Sequence, residues 1–428
     1  MKKNVGIAMG VSTIVYLVYA VVQPTYSYEL LDKRFDAHKY AESYRYFRGI
    51  TPDYLSSFPF NTRILSSWMA AHLPFNDLKM DFIWLNGAFV VLTVGLLTLI
   101  WQKLHLRLSV IGLGLFWLLF HWKGLVRMYL PDPVTADVGS YFWLTLLLFF
   151  GVIESKNWLF VVIVAALGTL QKESFIAVVG CMTLWNGVNG VVFNQSKRPF
   201  FIALSALLVA LLVYYLASHF FPPPTSDWRN NSLVTLLRVA KRYLVEPELL
   251  VRIPISWFLA FGTFWLAISP NKHCTSFSLC ALKEKGVQNP SLLQGEGDSG
   301  GEVNTHLQIQ LIVWLFLSVF GGGDTSRILF NGMPFVLTYL LLKLNQQPTW
   351  VAGYVFLTSL PLMRLEQLEP DLGRFPAQTN RWCVECWTVS ESWGYAVYAL
   401  AVLAGYYYLL RHFNVIGGRK TQDIQARR

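Results

Sequence analysis

Apolar residues along this chain occur in long blocks that short polar segments separate. A block of about 20 apolar residues crosses a bilayer as a helix, and no segment shows the roughly ten-residue alternation that is typical of an outer-membrane barrel. The pattern therefore predicts an all-α polytopic membrane protein with about 12 transmembrane helices, in a range of roughly 10–13 because a short block that is tilted, re-entrant or broken changes the count. The predicted spans are residues 5–23, 82–101, 108–122, 138–153, 157–171, 175–193, 200–220, 255–269, 308–322, 328–344, 350–364 and 395–410.

Composition supports this fold class. Hydrophobic residues make up 54% of the 428 residues and charged residues 14%, against about 25% charged in an average soluble domain. The mean hydropathy is +0.41. The first block follows Met-Lys-Lys-Asn and has no small-x-small cleavage site before Gln23, so it is interpreted as a retained signal anchor.

Basic residues in the short connections and the tails set the expected orientation. With both termini cytoplasmic, these residues fall inside, as the positive-inside rule requires. They are Lys2, Lys3, Lys103, Arg107, Lys156, Lys197, Arg198, Lys343, Arg411, Arg419, Lys420, Arg427 and Arg428. The predicted location is a bacterial plasma (inner) membrane. The formal charge of +10 then reflects topology and contact with lipid headgroups, and it indicates no nucleic-acid partner.

Four regions follow from this topology. Residues 1–270 form an N-terminal membrane domain whose first outer loop, 24–81, carries the candidate catalytic acid. Residues 271–307 are predicted to be a disordered cytoplasmic linker, because their latter part is polar and rich in Gly and Ser. Residues 308–410 form the C-terminal membrane helices, and 411–428 form a basic cytoplasmic tail.

Two outer loops contain amphipathic segments. On a helix, the first loop places Ala37, Tyr40, Ala41, Tyr44 and Phe47 in one apolar stripe, which predicts a helix lying at the membrane surface. A second such helix follows in TRILSSWMAAHL. In the second outer loop, 221–254, a helix over 233–244 has a basic face that is expected to bind lipid headgroups; its residues are Arg238, Lys241 and Arg242.

The isolated charges near the predicted membrane boundaries that lack an obvious structural reason all fall on the outer face. Chance divides such residues between the two faces, and ionisable residues at membrane depth are costly and usually line a functional path. Each also has a local explanation, such as a helix N-cap, an i,i+3 ion pair, a two-residue turn or a solvated helix face. Their common placement favours one polar site facing outward, formed by Asp36, Arg63, Asp132, Asp137, Lys172, Glu173, Asp324 and Arg327.

The residue types in this set suit transfer of a group from a lipid phosphate. A carboxylate takes a proton from an attacking hydroxyl, while Arg and Lys hold a leaving phosphate and stabilise its growing charge. Surface helices beside the site admit a lipid tail while the headgroup stays in water. No Ser-His-Asp order, Walker loop, HExxH helix or dinucleotide fingerprint competes with this interpretation.

Five short motifs appear in order along the chain: DKRFDAHKY, PFNTRIL, PDPVTAD, QKES and GGGDTSRILFNGMP. Together with the N-terminal span and the large first outer loop, they resemble the GT-C superfamily, the multispanning glycosyltransferases that use polyprenyl-phosphate-linked sugars. The resemblance covers residues 1–340 and implies that the early acid of the first loop is the catalytic base or a metal-proximal acid. Asp36 takes this role, and Asp32 is the alternative. No cofactor is assigned, and a divalent metal stays open because the two acids are not in a tight Asp-x-Asp.

The expected activity is an inverting transfer of a hexosyl or pentosyl unit from a polyprenyl-phosphate donor to a glycan, lipid or protein acceptor. The transfer takes place on the extracytoplasmic face, and membrane lipids are further partners. Arg63 and Arg327, with Lys172, hold the phosphate. Asp324 and Glu173 orient these cations or contact sugar hydroxyls. The pocket is lined by Asp132 or Asp137, and the helix over 233–244 covers the donor lipid.

Three other functions stay open. A lipid-linked glycan polymerase or ligase uses a similar outward cationic pocket. A transporter or flippase of glycolipid predicts ionisable residues near mid-helix in broken spans, whereas the mid-span positions here are apolar. A non-catalytic assembly subunit would use the same charges only to fasten its loops.

Overall fold

The computed structural model describes residues 2–23, 25, 36–154, 157–192, 196–224, 237, 241, 243, 245–246, 248–268, 299–320, 325–363, 365 and 389–426. These residues form helices and connecting turns and contain no strand. The α-helices are α1 Lys2–Val22, α2 Asp36–Phe47, α3 Leu65–Ala71, α4 Leu78–Lys103, α5 Leu108–Phe120, α6 Asp137–Leu148, α7 Trp158–Gln171, α8 Ser174–Val192, α9 Arg198–Phe220, α10 Glu248–Phe261, α11 Ser299–Phe320, α12 Thr325–Asn331, α13 Met333–Asn345, α14 Thr349–Ser359 and α15 Val389–Ala426. A π-helical turn, Phe149–Ile153, continues α6, and 3-10 turns follow α10 and α14.

Six helical segments in the described part of the chain are long and apolar enough to cross a membrane. They are Lys2–Val22, Leu78–Lys103, Ser174–Val191, Arg198–Phe220, Val303–Phe320 and Ser392–His412. Six shorter apolar helices lie at 108–120, 137–153, 158–171, 253–268, 333–345 and 349–363. Each predicted span therefore coincides with a helix. The all-helical fold class is confirmed, and six helices have the length and apolarity of membrane spans; the number of helices that cross the membrane stays a prediction.

The first helix packs antiparallel against α4. Glycines let the two helices approach closely, because a Cβ on Gly87 would lie 2.8 Å from the Tyr16 ring and one on Gly95 would lie 2.8 Å from Met9. The Tyr16 hydroxyl donates a hydrogen bond to the Ile83 carbonyl over 2.6 Å. This pairing places the end of α1 beside the start of α4, at the end of the bundle that also carries α2 and α3. We call it the loop end.

The predicted helix over the first outer loop is present as α2, but its apolar stripe faces protein and not lipid. Ala37, Tyr40, Ala41 and Tyr44 are buried. The stripe packs on α3 and on the start of α4, where Asp81 is fully buried. Asp81 accepts hydrogen bonds from the Tyr44 hydroxyl at 2.6 Å and from the Phe75 backbone N–H at 3.3 Å. These bonds fix α2 on the bundle.

The helices before and after the predicted linker pack together. The Trp101 indole N–H donates to the Thr338 hydroxyl at 2.9 Å. Arg107 donates to the carbonyls of Leu344 and Gln347 at 3.1 and 2.9 Å, away from the loop end. Two boundaries differ from the predicted ones. The helix α11 begins at Ser299, inside the predicted linker, whose earlier residues lie outside the described ranges, and α15 continues through the predicted tail to Ala426.

Candidate functional site

Two ion pairs meet at the junction between α7 and α8. Lys172 leaves α7 in an extended conformation, and Glu173 follows it in a turn. The Glu173 carboxylate binds Arg63 through two hydrogen bonds, from Nε to Oε2 at 2.7 Å and from Nη2 to Oε1 at 2.5 Å. The Lys172 ammonium binds Asp137 at 2.5 Å from Nζ to Oδ1. Two consecutive residues thus join the α2–α3 segment to the start of α6.

Arg63 is held on several sides. Its Nη1 group donates to the Tyr40 hydroxyl at 3.3 Å, and its guanidinium carbon lies 4.8 Å from the centre of the Phe60 ring. Burial lowers the pKa of the Arg63 guanidinium, but the Glu173 carboxylate more than offsets this and leaves that pKa well above its ordinary value. Burial likewise raises the pKa of Glu173, and Arg63 more than offsets it, so this pKa is lowered. Both groups are therefore charged at neutral pH.

Gln171, the residue before the ion-paired dipeptide, fixes the neighbouring backbone. Its side chain is fully buried, and its amide nitrogen donates to the Ser66 hydroxyl at 2.6 Å and to the Ala136 carbonyl at 2.5 Å. The hydroxyl of Ser67 donates to the Tyr40 backbone carbonyl at 3.2 Å. The start of α3, two residues after Arg63, is thereby tied to both α7 and α2.

Asp36 lies within electrostatic range of these ion pairs. It is the first residue of α2, one helical turn before Tyr40, and it is partly exposed. Burial raises the pKa of the Tyr40 hydroxyl; the Arg63 charge lowers it, and the charges of Asp137 and Asp36 raise it further. The charges of Asp36 and Asp137 therefore both act on the Tyr40 hydroxyl, which binds Arg63.

The segment 121–136, between α5 and α6, holds two buried cations that the sequence interpretation missed. Lys123 is fully buried with its ammonium 4.6 Å from the centre of the Trp122 ring. Arg127 is 3% exposed and donates through Nη1 to the carbonyls of Phe120 at 3.0 Å and Met363 at 2.5 Å. The available signal was HWKGLVR, which follows an apolar block and holds two cations and no acid.

The helix α12, which carries Arg327, lies close to the start of α6. Tyr141, one turn after Asp137, donates through its hydroxyl to the Asn331 side chain at 3.2 Å. Asn331 ends α12, and Arg327 belongs to that helix one turn earlier. The backbone that carries Arg327 therefore lies beside the start of α6. The side chain of Arg327 is outside what the structure describes.

The structure thus brings together four of the predicted site residues, Arg63, Asp137, Lys172 and Glu173, and places Asp36 in range of them. Asp132 lies partly exposed in the segment 121–136, and Lys241 is exposed. The remaining predicted residues, Asp32, Asp324, Arg238 and Arg242, lie outside the described residues. Within the described residues no group of three or more His, Cys, Asp or Glu is arranged to hold a metal ion, so the divalent metal stays unassigned.

Replacing Gly139 by Ala is expected to displace the Gln171 side chain, which fixes the backbone next to the ion pairs. A Cβ there would lie 2.5 Å from the Gln171 amide nitrogen and 3.0 Å from Phe89, so the buried amide must move and lose its two hydrogen bonds. Overpacking of this kind costs about 1–3 kcal/mol. Thermal unfolding of the purified protein measures it. Gly112→Ala is the control, because a Cβ at Gly112 meets nothing within 4 Å. Equal unfolding temperatures for the two variants would contradict the expected role of Gln171.

No protein-family model, curated protein sequence or solved structure matches this chain. The function has to be inferred from the residues themselves. Their arrangement offers two cations with carboxylate partners, and a partly exposed carboxylate one turn before the tyrosine that binds one of these cations, at one end of an apolar helix bundle.

Proposed function

We propose that this protein is an integral membrane glycosyltransferase that moves a sugar from a polyprenyl-phosphate donor to a hydroxyl acceptor. The observation that carries the proposal is the convergence of charged side chains from distant segments at the loop end. Arg63, Asp137 and the dipeptide Lys172–Glu173 come together, with Asp36 in electrostatic range. Buried and partly buried charges are costly, and such clusters are common at functional sites.

The proposed reaction assigns a step to each group. Asp36 accepts the proton of the acceptor hydroxyl, whose oxygen attacks the anomeric carbon of the sugar. The bond from that carbon to the phosphate oxygen breaks, and the phosphate leaves with the bonding electron pair. Arg63 and Lys172 stabilise the charge that develops on the leaving phosphate. Attack opposite the leaving group inverts the anomeric configuration.

The membrane setting completes the proposal. A GT-C-type fold with twelve crossing helices would place the loop end on the extracytoplasmic side of a bacterial plasma membrane, with both termini in the cytoplasm. The donor tail would lie among the apolar helices while its phosphate reaches the ion pairs. A polymerase or ligase of lipid-linked glycans shares this chemistry and differs in the size of the acceptor.

Mass spectrometry of lipid-linked and surface glycans in cells that lack the protein tests the proposal. The expected result is that one sugar unit disappears and returns with the wild-type protein. Unchanged glycans would favour an assembly subunit, and accumulation of a complete lipid-linked glycan would favour a flippase. Either outcome contradicts the transferase.

A matched pair of lysine variants localises the activity. Lys172→Gln removes the ion pair with Asp137 at the proposed site, and Lys103→Gln removes the ion pair with Glu154 elsewhere in the protein. At equal membrane abundance, Lys172→Gln is expected to reduce the sugar product by roughly tenfold or more, because removing one group that stabilises transition-state charge typically costs about 10²–10³ in rate. Lys103→Gln is expected to restore the product fully. Equal effects of the two variants would show that loss of an ion pair, and not loss of a site, is being measured.

A further inference from the structure

The Glu173 carboxylate occupies the position at which Arg63 would bind a phosphate. Its two oxygens bind Nε and Nη2 of the guanidinium, which is the forked geometry that arginine uses for both carboxylates and phosphates. The Glu173 side chain is 29% exposed and that of Arg63 is 11% exposed, so the carboxylate is the more accessible partner. An anion arriving from solvent or from the bilayer surface therefore meets Glu173 before it meets the guanidinium.

The two partners differ in what else holds them. Arg63 donates through Nη1 to the Tyr40 hydroxyl, and its guanidinium lies against the Phe60 ring. Tyr40 itself is fixed, since it is 2% exposed and its backbone carbonyl accepts from Ser67. Glu173 stands in a two-residue turn between helices, where Arg63 binds both of its carboxylate oxygens and its own backbone N–H also stabilises the carboxylate. The guanidinium therefore keeps its contacts to Tyr40 and Phe60 when the carboxylate moves.

We propose that the Arg63 guanidinium is a phosphate subsite, which the Glu173 carboxylate occupies in the empty protein. The phosphate of a prenyl-phosphate ligand displaces this carboxylate from Arg63. Ligand binding is then an exchange of anions on one guanidinium. This inference rests on the proposed function for the identity of the ligand. The exchange keeps the largely buried guanidinium paired with an anion in the empty protein, where an unpaired charge would be destabilising. The affinity for the phosphate then depends on the difference in free energy between the Arg63–phosphate pair and the Arg63–Glu173 pair.

Direct binding of a short prenyl monophosphate tests the exchange. The full-length protein in nanodiscs of zwitterionic lipid is titrated with farnesyl phosphate, with inorganic phosphate and with farnesol. The wild type is compared with Glu173→Gln, which removes the competing charge and keeps a similar shape. Glu173→Gln is expected to bind farnesyl phosphate roughly tenfold more tightly, since removal of a competitor worth about 1.4 kcal/mol changes the dissociation constant tenfold. Farnesol is expected to show no gain.

Two further variants sharpen the result. Glu154→Gln neutralises the carboxylate that pairs with Lys103 and is expected to leave the affinity unchanged. Tyr40→Phe removes the hydroxyl that supports Arg63 from the other side and is expected to weaken binding severalfold. Tyr40→Phe alone carries the test if Glu173→Gln does not yield folded protein, and an unchanged affinity would then overturn the proposal.

Equal or weaker binding of farnesyl phosphate by folded Glu173→Gln overturns the exchange. A gain for inorganic phosphate of the same size supports the exchange and identifies free phosphate as a sufficient ligand, while a gain for farnesyl phosphate alone identifies the lipid. Binding requires no sugar and no turnover, so the result is independent of the glycan measurement. Tighter binding without any glycan phenotype would support the exchange and contradict the transferase, and the reverse pattern would contradict only the exchange.

Discussion

Arg63→Glu is expected to abolish accumulation of folded protein, and adding Glu173→Arg is expected to restore folding but not sugar transfer. The single variant places two carboxylates where two hydrogen bonds of 2.5 and 2.7 Å now join opposite charges. Breaking a fully buried ion pair costs about 3–5 kcal/mol; this pair is partly exposed, so water lowers that cost, but the repulsion between the two facing carboxylates adds to it. The exchanged pair recovers the attraction. It does not recover the guanidinium beside Tyr40 and Phe60, where the phosphate would bind.

Yield of monodisperse protein after size-exclusion chromatography measures folding, and the glycan product measures activity. The matched control exchanges an ion pair elsewhere in the protein, as Lys103→Glu with Glu154→Lys, and is expected to keep both folding and activity. Full activity of the Arg63→Glu/Glu173→Arg protein would show that the pair only fastens the α2–α3 segment to the bundle. That outcome would remove Arg63 from the proposed mechanism, because a carboxylate cannot hold a phosphate.

The helices could be predicted because burial in a bilayer demands long apolar blocks, and such blocks are visible in sequence. The number of helices that cross the membrane could not be predicted in this way. The helix α13 shows why: it is only 13 residues long, and ten of its residues are buried within the protein. A short apolar helix surrounded by other helices has the same composition as a membrane span, so hydropathy alone does not separate the two.

The position of the site could be predicted in part. Alternation of spans places Arg63, Asp137 and the dipeptide Lys172–Glu173 at one end of the bundle, and the structure confirms that they meet. Which acid pairs with which cation depends on packing, since Arg63 and Glu173 are 110 residues apart. The sequence interpretation therefore assigned a binding role to both Arg63 and Glu173. It could not predict that the Glu173 carboxylate binds the Arg63 guanidinium.

The direction of the α2 stripe could not be predicted either. A period of three to four apolar residues shows that one face is buried, but it does not say whether lipid or protein covers it. Two polar groups decide the matter here. Tyr44 binds buried Asp81, and Tyr40 binds Arg63, so the aromatic side chains that resemble membrane anchors use their hydroxyls inside the protein. Asp81 and Gln171 were not singled out from the sequence, because hydropathy does not show which polar residues near the end of an apolar helix are buried.

Asp36→Asn is expected to eliminate sugar transfer while leaving the protein folded. An amide cannot accept the proton of the acceptor hydroxyl, and loss of a positioned general base typically lowers the rate by about 10²–10⁴. Folding is expected to change little, since Asp36 is partly exposed in the first turn of α2 and an acid there contributes about 0.3–1 kcal/mol through the helix dipole. Cells lacking the protein are complemented with each variant at equal membrane abundance, and the glycan product is quantified.

Asp53→Asn is the matched control for this experiment, because Asp53 is an exposed acid in the same loop and is expected to be neutral. Asp32→Asn separates the two candidate bases. If Asp32→Asn eliminates the product and Asp36→Asn retains it, the base is Asp32 and the reaction class stands. If both variants retain full activity, neither of the two candidate acids is the base. The ion-paired residues at the α7–α8 junction would then act by binding alone. Binding without a base suits a transporter or an assembly subunit, and it would argue against a transferase.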